Sequence, residues 1–262
     1  MYTSLIIPAF DRPELTTAHV KYSMAASRVP DEIIVVNDNG PEILRGMLKA
    51  LKKTTKLVYV FIEQNIAWNY TGARNAGVWV SRGDWLFLED TDNIPYNNVY
   101  EEAIVFIEKN QRYDKIRFGS RPRVTENEVI NIPQKDWVLG KRRLPHEDTV
   151  LWKRESYIKL KGCDERFAGR YAWSSTDWRR RFQRAGMKEH TLDTLHYYAV
   201  VDGESHSCEC NKSQAERAKT IYCTACKLPF RRKSGINYHM ASGEHTQSPE
   251  GILNFTFTIE IL

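Results

Sequence analysis

A mixed α/β fold with a mostly parallel sheet is the class this sequence predicts, on three observations. Short unbroken apolar runs, the kind a strand buried on both faces shows, recur at Leu5-Ile6-Ile7, Ile33-Ile34-Val35-Val36, Leu57 to Ile62 and Trp85-Leu86-Phe87-Leu88. Stretches of helical spacing separate them. Three of the runs (first, second and fourth) finish in polar loops holding Asp11, Asp38 and the pair Asp90/Asp92. In open α/β sheets, ligands bind just beyond the carboxyl ends of the strands.

Taken in order, Tyr2 to Pro8 reads as a first strand, and Ala9 to Glu14 as the loop that leaves it. Leu15 to Ser27 has helical periodicity, with Arg28-Val29-Pro30 as its exit. Asp31-Glu32 leads into the second strand, which ends in Asn37-Asp38-Asn39-Gly40. Pro41 to Lys53 reads as a helix and Leu57 to Ile62 as the third strand. Ala73 to Val80 carries apolar residues at helical spacing, and Arg82-Gly83-Asp84 stops it. The fourth strand follows and ends in Glu89-Asp90-Thr91-Asp92. Between Gly119 and Glu147 the chain turns polar and basic, with Pro122, Pro133 and Pro145, and reads as a long loop.

The 262 residues suit one large domain or a domain plus a small module, and a 42% hydrophobic share builds a core. The formal charge of +5 is unevenly placed, with clusters at Lys141-Arg142-Arg143, at Arg179-Arg180-Arg181 with Arg184, and at Arg231-Arg232-Lys233. Such clusters meet phosphates or another acidic partner, or form a solvated face. No apolar run approaches the roughly 20 residues of a membrane span. The N-terminus enters Leu5-Ile6-Ile7-Pro8 without a preceding basic region, as a strand does and a signal peptide does not. Four of the five cysteines fall between 208 and 226, which points to a metal site and a reducing, cytoplasmic compartment.

Asp90 and Asp92 are hard oxygen ligands one residue apart, suited to Mg²⁺ or Mn²⁺, and such a metal can hold a diphosphate. A bare pair of this kind is also a common solvated turn. The surrounding blocks bear on that choice. They are IIPAFDRPE at 6–14, IIVVNDNG at 33–40, TGARNAGVWVSRGDWLFLEDTDNIP at 71–95 and LWKRESYIKLKGCDERFAG at 151–169, followed by Ser-Thr-Asp-Trp at 175–178, then Arg181 and Gly186. In this order and spacing, residues 1 to about 200 resemble a family-2 glycosyltransferase with the Rossmann-like GT-A fold.

The resemblance implies a nucleotide-sugar donor, foremost a UDP-sugar. It implies that Pro8, Ala9, Phe10, Asp11 and Asp38 line the nucleoside pocket and that Arg74 sits near the ribose or diphosphate. It also implies that Asp90 and Asp92 form the metal-binding D-x-D pair. Two departures stand out. Asn93 follows the pair where an acidic residue is common, and Ser175-Thr176-Asp177 stands where the family commonly shows Glu-Asp. Asp177, at the start of a basic helix, is then the expected general base for a one-step displacement with inversion. Its bland alternative is a helix cap. His196 is a candidate third metal ligand, or a packed side chain among aromatic neighbours.

The C-terminal part reads as a separate module. Cys223, Cys226, Phe230, Ile236, His239 and His245 follow C-x2-C-x3-F-x5-I-x2-H-x5-H, and two thiolates with two imidazoles suit tetrahedral Zn²⁺. The segment resembles a C2H2 zinc finger of the matrin or U1 type, with Phe230 and Ile236 as its small core. A competing site of Cys208, Cys210, Cys223 and Cys226 leaves the histidines idle and explains neither Phe230 nor the histidine spacing.

The expected organisation is a GT-A domain over 1–203, a linker over 204–218, a finger over 219–248, and a strand over 249–262 that docks on the catalytic domain. Fingers with basic flanks bind nucleic acid through phosphates and groove shape. A metal-dependent inverting transferase acting on a hydroxymethylated base in DNA is therefore one expectation. A transferase for a glycan, lipid-linked or protein acceptor, with the finger structural, is a second. A non-catalytic nucleic-acid binder on a transferase fold is the third.

Overall fold

A computed structural model of the 262-residue chain describes residues 1–66, 69–168, 174–194, 197–201, 221–222, 229–230 and 256–262. The first half alternates strand and helix: β1 (Thr3–Ala9), α1 (Pro13–Met24), β2 (Glu32–Asn37), α2 (Ile43–Lys49), β3 (Lys56–Ile62), α3 (Tyr70–Val80), β4 (Trp85–Leu88) and β5 (Asn93–Pro95). Helix α1 starts at Pro13, whose fixed φ suits the first helical position, and it stops at Met24. Ser27, expected inside that helix, instead bonds the Asn97 carbonyl and the Glu101 carboxylate. Helix α2 is shorter than its periodic stretch because only Leu44 and Leu48 of its residues reach the core.

The second half runs α4 (Val99–Lys109), β6 (Lys115–Phe118), β7 (Arg121–Thr125), α5 (Glu126–Asn131), β8 (Arg142–Arg143), β9 (Val150–Lys153), α6 (Arg154–Lys159), α7 (Ser174–Arg184), β10 (Glu189–Leu192) and β11 (Tyr197–Val201). Two short strands, β12 (Ile221–Tyr222) and β13 (Pro229–Phe230), and the terminal β14 (Phe257–Ile261) complete the described elements. The main sheet has the order β10-β6-β9-β4-β1-β2-β3-β14. Strands β4, β1, β2 and β3 are mutually parallel, β9 runs against β4 and β6, and β14 runs against β3. This is the α/β architecture with a mainly parallel sheet that the alternating pattern predicts.

Side chains divide between the two faces of the sheet with a period of two. Leu5, Ile7, Ile33, Val35 and Phe87 pack against α1, α2 and α4 on one side. Ile6, Ile34, Val36, Leu86 and Leu88 pack against α3, α6 and α7 on the other. Both faces are covered, so the strands read as unbroken apolar runs. Gly77 lets α3 lie close: a Cβ there would stand 2.4 Å from the Ile6 side chain.

The stretch from 119 to 147 is not the loop that its polar composition predicts. Strand β7 joins β5, β11 and β8 in a four-stranded sheet, and α5 packs beside it. Thr125 and Glu128 form a capping box at the start of α5, each side chain bonding the other's backbone N–H. Trp137 is buried with Leu15, Ile94, Val129 and Tyr198, and its indole N–H donates to the Glu128 and Ile132 carbonyls, both at 3.0 Å. Local bonds and a single aromatic anchor give order where hydrophobic periodicity is absent.

Candidate active site

The carboxyl ends of β1, β2 and β4 open on one cleft of about 580 Å³, lined among others by Pro8, Ala9, Phe10, Asp11, Asp38 and Asp92. The parallel register brings these loops together. The Asp38 N–H donates to the Ala9 carbonyl at 2.8 Å, and Asn69 donates to the Asp38 carboxylate at 3.0 Å. Burial pushes the Asp38 carboxyl up to about 6, and the Asn69 bond only partly offsets that. Gly40 allows the β2 loop to lie on the Phe10 backbone, since a Cβ would fall 1.5 Å from the Phe10 carbonyl oxygen. Phe10 itself is 53% exposed and lines the cleft.

Beside the cleft, a second group of charges surrounds Asp90. Arg74, 3% exposed, donates to Asp90 Oδ1 at 2.8 Å and to the Asp148 carbonyl, and its guanidinium lies 4.4 Å over the Tyr70 ring. His146 Nδ1 stands 3.3 Å from Asp90 Oδ2. Asp148 accepts from the Ser175 hydroxyl at 2.6 Å and lies 3.9 Å from Arg74. Asp90, His146 and Asp148 each offer a ligand atom within 4.8 Å of the others. Burial pushes the Asp90 carboxyl up, but Arg74 and His146 outweigh it and hold it below the ordinary carboxylate range. Asp92 moves the other way, raised first by burial and then by the charge of Asp90.

The acidic loop is braced from behind. Glu89 is fully buried and accepts from the Tyr197 hydroxyl at 2.6 Å and the Tyr100 hydroxyl at 3.2 Å. His19, also fully buried, places Nε2 at 2.7 Å from Glu89 and Nδ1 at 3.3 Å from the Thr91 carbonyl. The Thr91 hydroxyl donates to the Pro8 carbonyl at 2.7 Å, and Val200 N–H donates to the Asp92 carbonyl at 2.8 Å. Strands β1, β11 and helix α1 therefore all hold the tip of β4.

Asp177 lies in the first turn of α7, 3% exposed, and accepts from Arg181 Nε at 2.8 Å one turn along the same helix. It is absent from the lining of the small cavity that Arg74, Asp148, Ser174, Ser175 and Trp178 share. His196, Cys208, Cys210, Cys223, Cys226, His239 and His245 lie outside the described residues. Near the last group, β12 and β13 pair antiparallel, Ile221 with Phe230 and Tyr222 with Pro229. Sequence reasoning missed His146, Asp148, His19 and Glu89 as members of the site. The run His146-Glu147-Asp148, just before a buried strand, was the available signal for the first two.

Comparison with known proteins bears on the family and the fold. The sequence model of Glycosyl transferase family 2 matches residues 4–182. An uncharacterized glycosyltransferase of Rickettsia bellii (strain RML369-C) is 29% identical over 107 residues, 41% of this chain and 15% of that protein. The crystal structure of S. aureus TarS 1-349 in complex with UDP-GlcNAc superposes with a TM-score of 0.62 at 14% identity, covering 79% of this chain and 60% of that one. Its complex with UDP gives a TM-score of 0.57 at 15% identity, covering 77% and 61%. The chain thus spans a small part of its curated relative and about 60% of the solved TarS fragment. Among the described residues, no helix is long and apolar enough to cross a membrane. Matched along residues 4–182 and carrying the GT-A fold, the chain belongs to glycosyl transferase family 2.

Proposed function

We propose that the chain transfers a sugar from a nucleotide-sugar donor, a UDP-sugar, to an acceptor hydroxyl. The observation that carries this reading is the meeting of three aspartate-bearing strand ends on one cleft, beside the Asp90–His146–Asp148 cluster. The UDP and UDP-GlcNAc complexes of TarS support the donor class. In this reading Phe10 offers a face for the base, and Pro8, Ala9, Asp11 and Asp38 complete the nucleoside pocket. Arg74 fixes Asp90 toward the ribose or diphosphate.

A divalent cation fits the donor set. The Asp90 charge disfavours a second charge on Asp92, and Asp90 Oδ2 faces an imidazole rather than Arg74. Carboxylates with one nitrogen ligand suit Mn²⁺ better than Mg²⁺. Asp90 and His146, whose ligand atoms converge, would hold the ion, with Asp92 joining them on the sequence reading alone, and the bound ion would offset charge on the departing diphosphate. His196 is a further ligand on the sequence reading alone.

For the proton acceptor we assign Asp148 rather than Asp177. Asp177 is committed to Arg181 on its own helix. Asp148 borders the cavity and is oriented by the Ser175 hydroxyl. A carboxylate there takes the acceptor proton as the sugar–phosphate bond breaks, and attack from the opposite face inverts the anomeric centre. Asp92→Asn should abolish Mn²⁺-dependent donor turnover. Asp148→Asn should keep Mn²⁺ and donor binding while transfer falls on the order of 100-fold or more. Mn²⁺ affinity by electron paramagnetic resonance, read beside transfer rate, checks both; loss of Mn²⁺ in Asp148→Asn would make that residue a ligand instead.

The C-terminal segment is proposed as a Zn²⁺ site of Cys223, Cys226, His239 and His245. The β12–β13 ladder brackets both cysteines, as the strand pair of such a finger does, and that supports it. Chelation should then release one zinc and unfold this module alone. DNA or RNA as acceptor rests on the same segment, and a product-mass screen of hydroxymethylated DNA, plain DNA and oligosaccharides tests it.

A further inference from the structure

Seven consecutive residues, Val138 to Leu144, are all exposed and contain no acidic side chain. Val138 is 79% exposed, Leu139 48% and Leu144 82%, and Lys141, Arg142 and Arg143 lie among them. Single exposed apolar residues are ordinary; three beside three cations in one short tip call for a partner.

The tip is built, not slack. Gly140 N–H donates to the Arg123 carbonyl at 2.9 Å, and Val138 N–H donates to Glu128 at 2.8 Å. Arg142 and Arg143 pair with Pro122 and Arg121, and the Arg121 guanidinium donates to the Leu144 carbonyl at 3.2 Å. These bonds and the buried Trp137 fix the backbone from within the domain, while the side chains of Val138, Leu139 and Leu144 stand exposed among the described residues. Pro145 then leads directly to His146 and Asp148 of the site.

We propose that this tip docks on an anionic bilayer surface. Val138, Leu139 and Leu144 enter the boundary between headgroups and acyl chains, and Lys141, Arg142 and Arg143 meet headgroup phosphates. A short apolar insertion or a weak basic patch alone binds marginally, whereas the two together hold. The charges select an anionic surface, and the aliphatic side chains select lipid over nucleic acid. Duplex phosphates are met by cations and polar donors, which would leave Val138 and Leu144 without a partner. Resting on the transferase reading above, docking also sets the acceptor side of the cleft against the membrane, where a headgroup-borne hydroxyl is the acceptor class.

The test is sedimentation of the full chain with vesicles of phosphatidylcholine, with or without phosphatidylglycerol, and no donor present. Binding to the anionic vesicles alone is expected. The triple variant Lys141→Gln, Arg142→Gln, Arg143→Gln should lose about 100-fold in partitioning, roughly fivefold per cation. Val138→Ser with Leu144→Ser should weaken it by at least about tenfold, with an unchanged melting temperature showing that the fold stands. Equal binding to both vesicle types, no binding, or undiminished binding by either variant overturns the proposal. So does binding to a DNA or RNA duplex that the triple variant abolishes and the serine variant leaves intact. Donor hydrolysis by the same variants stays at the parent rate, so failure to dock and failure of the transferase reading are told apart.

Discussion

The two halves of the site, donor and acceptor in the reading proposed above, are held together by different forces. Strands β1 to β4 owe their order to burial on both faces, with Leu5, Ile6, Ile7, Ile33, Ile34 and Val35 fully excluded from water. The segment from Arg121 to Asp148 owes its order to side chain–backbone bonds: the Thr125–Glu128 box, the Trp137 indole, and Arg121 on the Leu144 carbonyl. The first kind of order tolerates exchange of one aliphatic residue for another and stays rigid. The second depends on single residues. Bonds of the second kind can be rewired without disturbing the core.

Trp137→Ala breaks the acceptor half most severely. Large-to-small changes of this kind cost about 3–5 kcal/mol, and here the loss should fall on β7, α5 and β11. Hydrogen exchange is the measurement: amides of β1 to β3 should keep their protection while those of Val124 and Val129 lose it. Loss of protection in both halves together would show one cooperative unit and end the contrast.

The donor half has its own marker in Asp38. Its folded carboxyl titrates near 6, above the ordinary value, because it is buried. Between roughly pH 4 and 6 the native state therefore holds more protons than the unfolded chain, and this group's contribution to stability falls as pH rises through that window. Above about pH 6 the ionised carboxylate is available to a donor N–H of the base. UDP affinity should rise severalfold across pH 6 in the parent and stay flat in Asp38→Asn, followed by calorimetry. A parallel slope in both would remove Asp38 from the pocket.

Thr125→Ala is the mildest change. Loss of an N-cap costs about 1 kcal/mol, so thermal melting should shift by a few degrees, with transfer lowered and UDP binding intact. An equal fall in UDP binding would mean that the two halves are coupled beyond the bonds described.

The uneven legibility of the sequence follows from the same contrast. Runs such as Trp85-Leu86-Phe87-Leu88 announce a doubly covered strand because burial acts on every residue in turn. The loops after β1, β2 and β4 could then be placed at one edge, and Pro8, Ala9, Phe10, Asp11, Asp38 and Asp92 do line one cleft. His146 and Asp148 were hidden because their segment carries no periodic signal; a polar stretch with three prolines looks like a loop whether or not it is bonded. Glu89 was hidden differently. It sits next to the D-x-D pair and reads as part of an acidic tip, yet it points inward to His19, Tyr100 and Tyr197. Which way a side chain leaves a strand end depends here on His19 and Tyr197, which lie 70 and 108 residues away in the sequence.

Strand β14 lies along β3 over five residue pairs, from Phe257 opposite Ile62 to Ile261 opposite Val58, and Glu260 clasps Arg45 and Lys49 on α2. Cutting the chain before Phe257 would strip β3 of that neighbour and leave a row of unanswered amides and carbonyls, a template on which a second molecule could stack. A trimmed transferase unit intended for crystallisation should therefore carry these last residues on a short graft, or accept oligomers in solution.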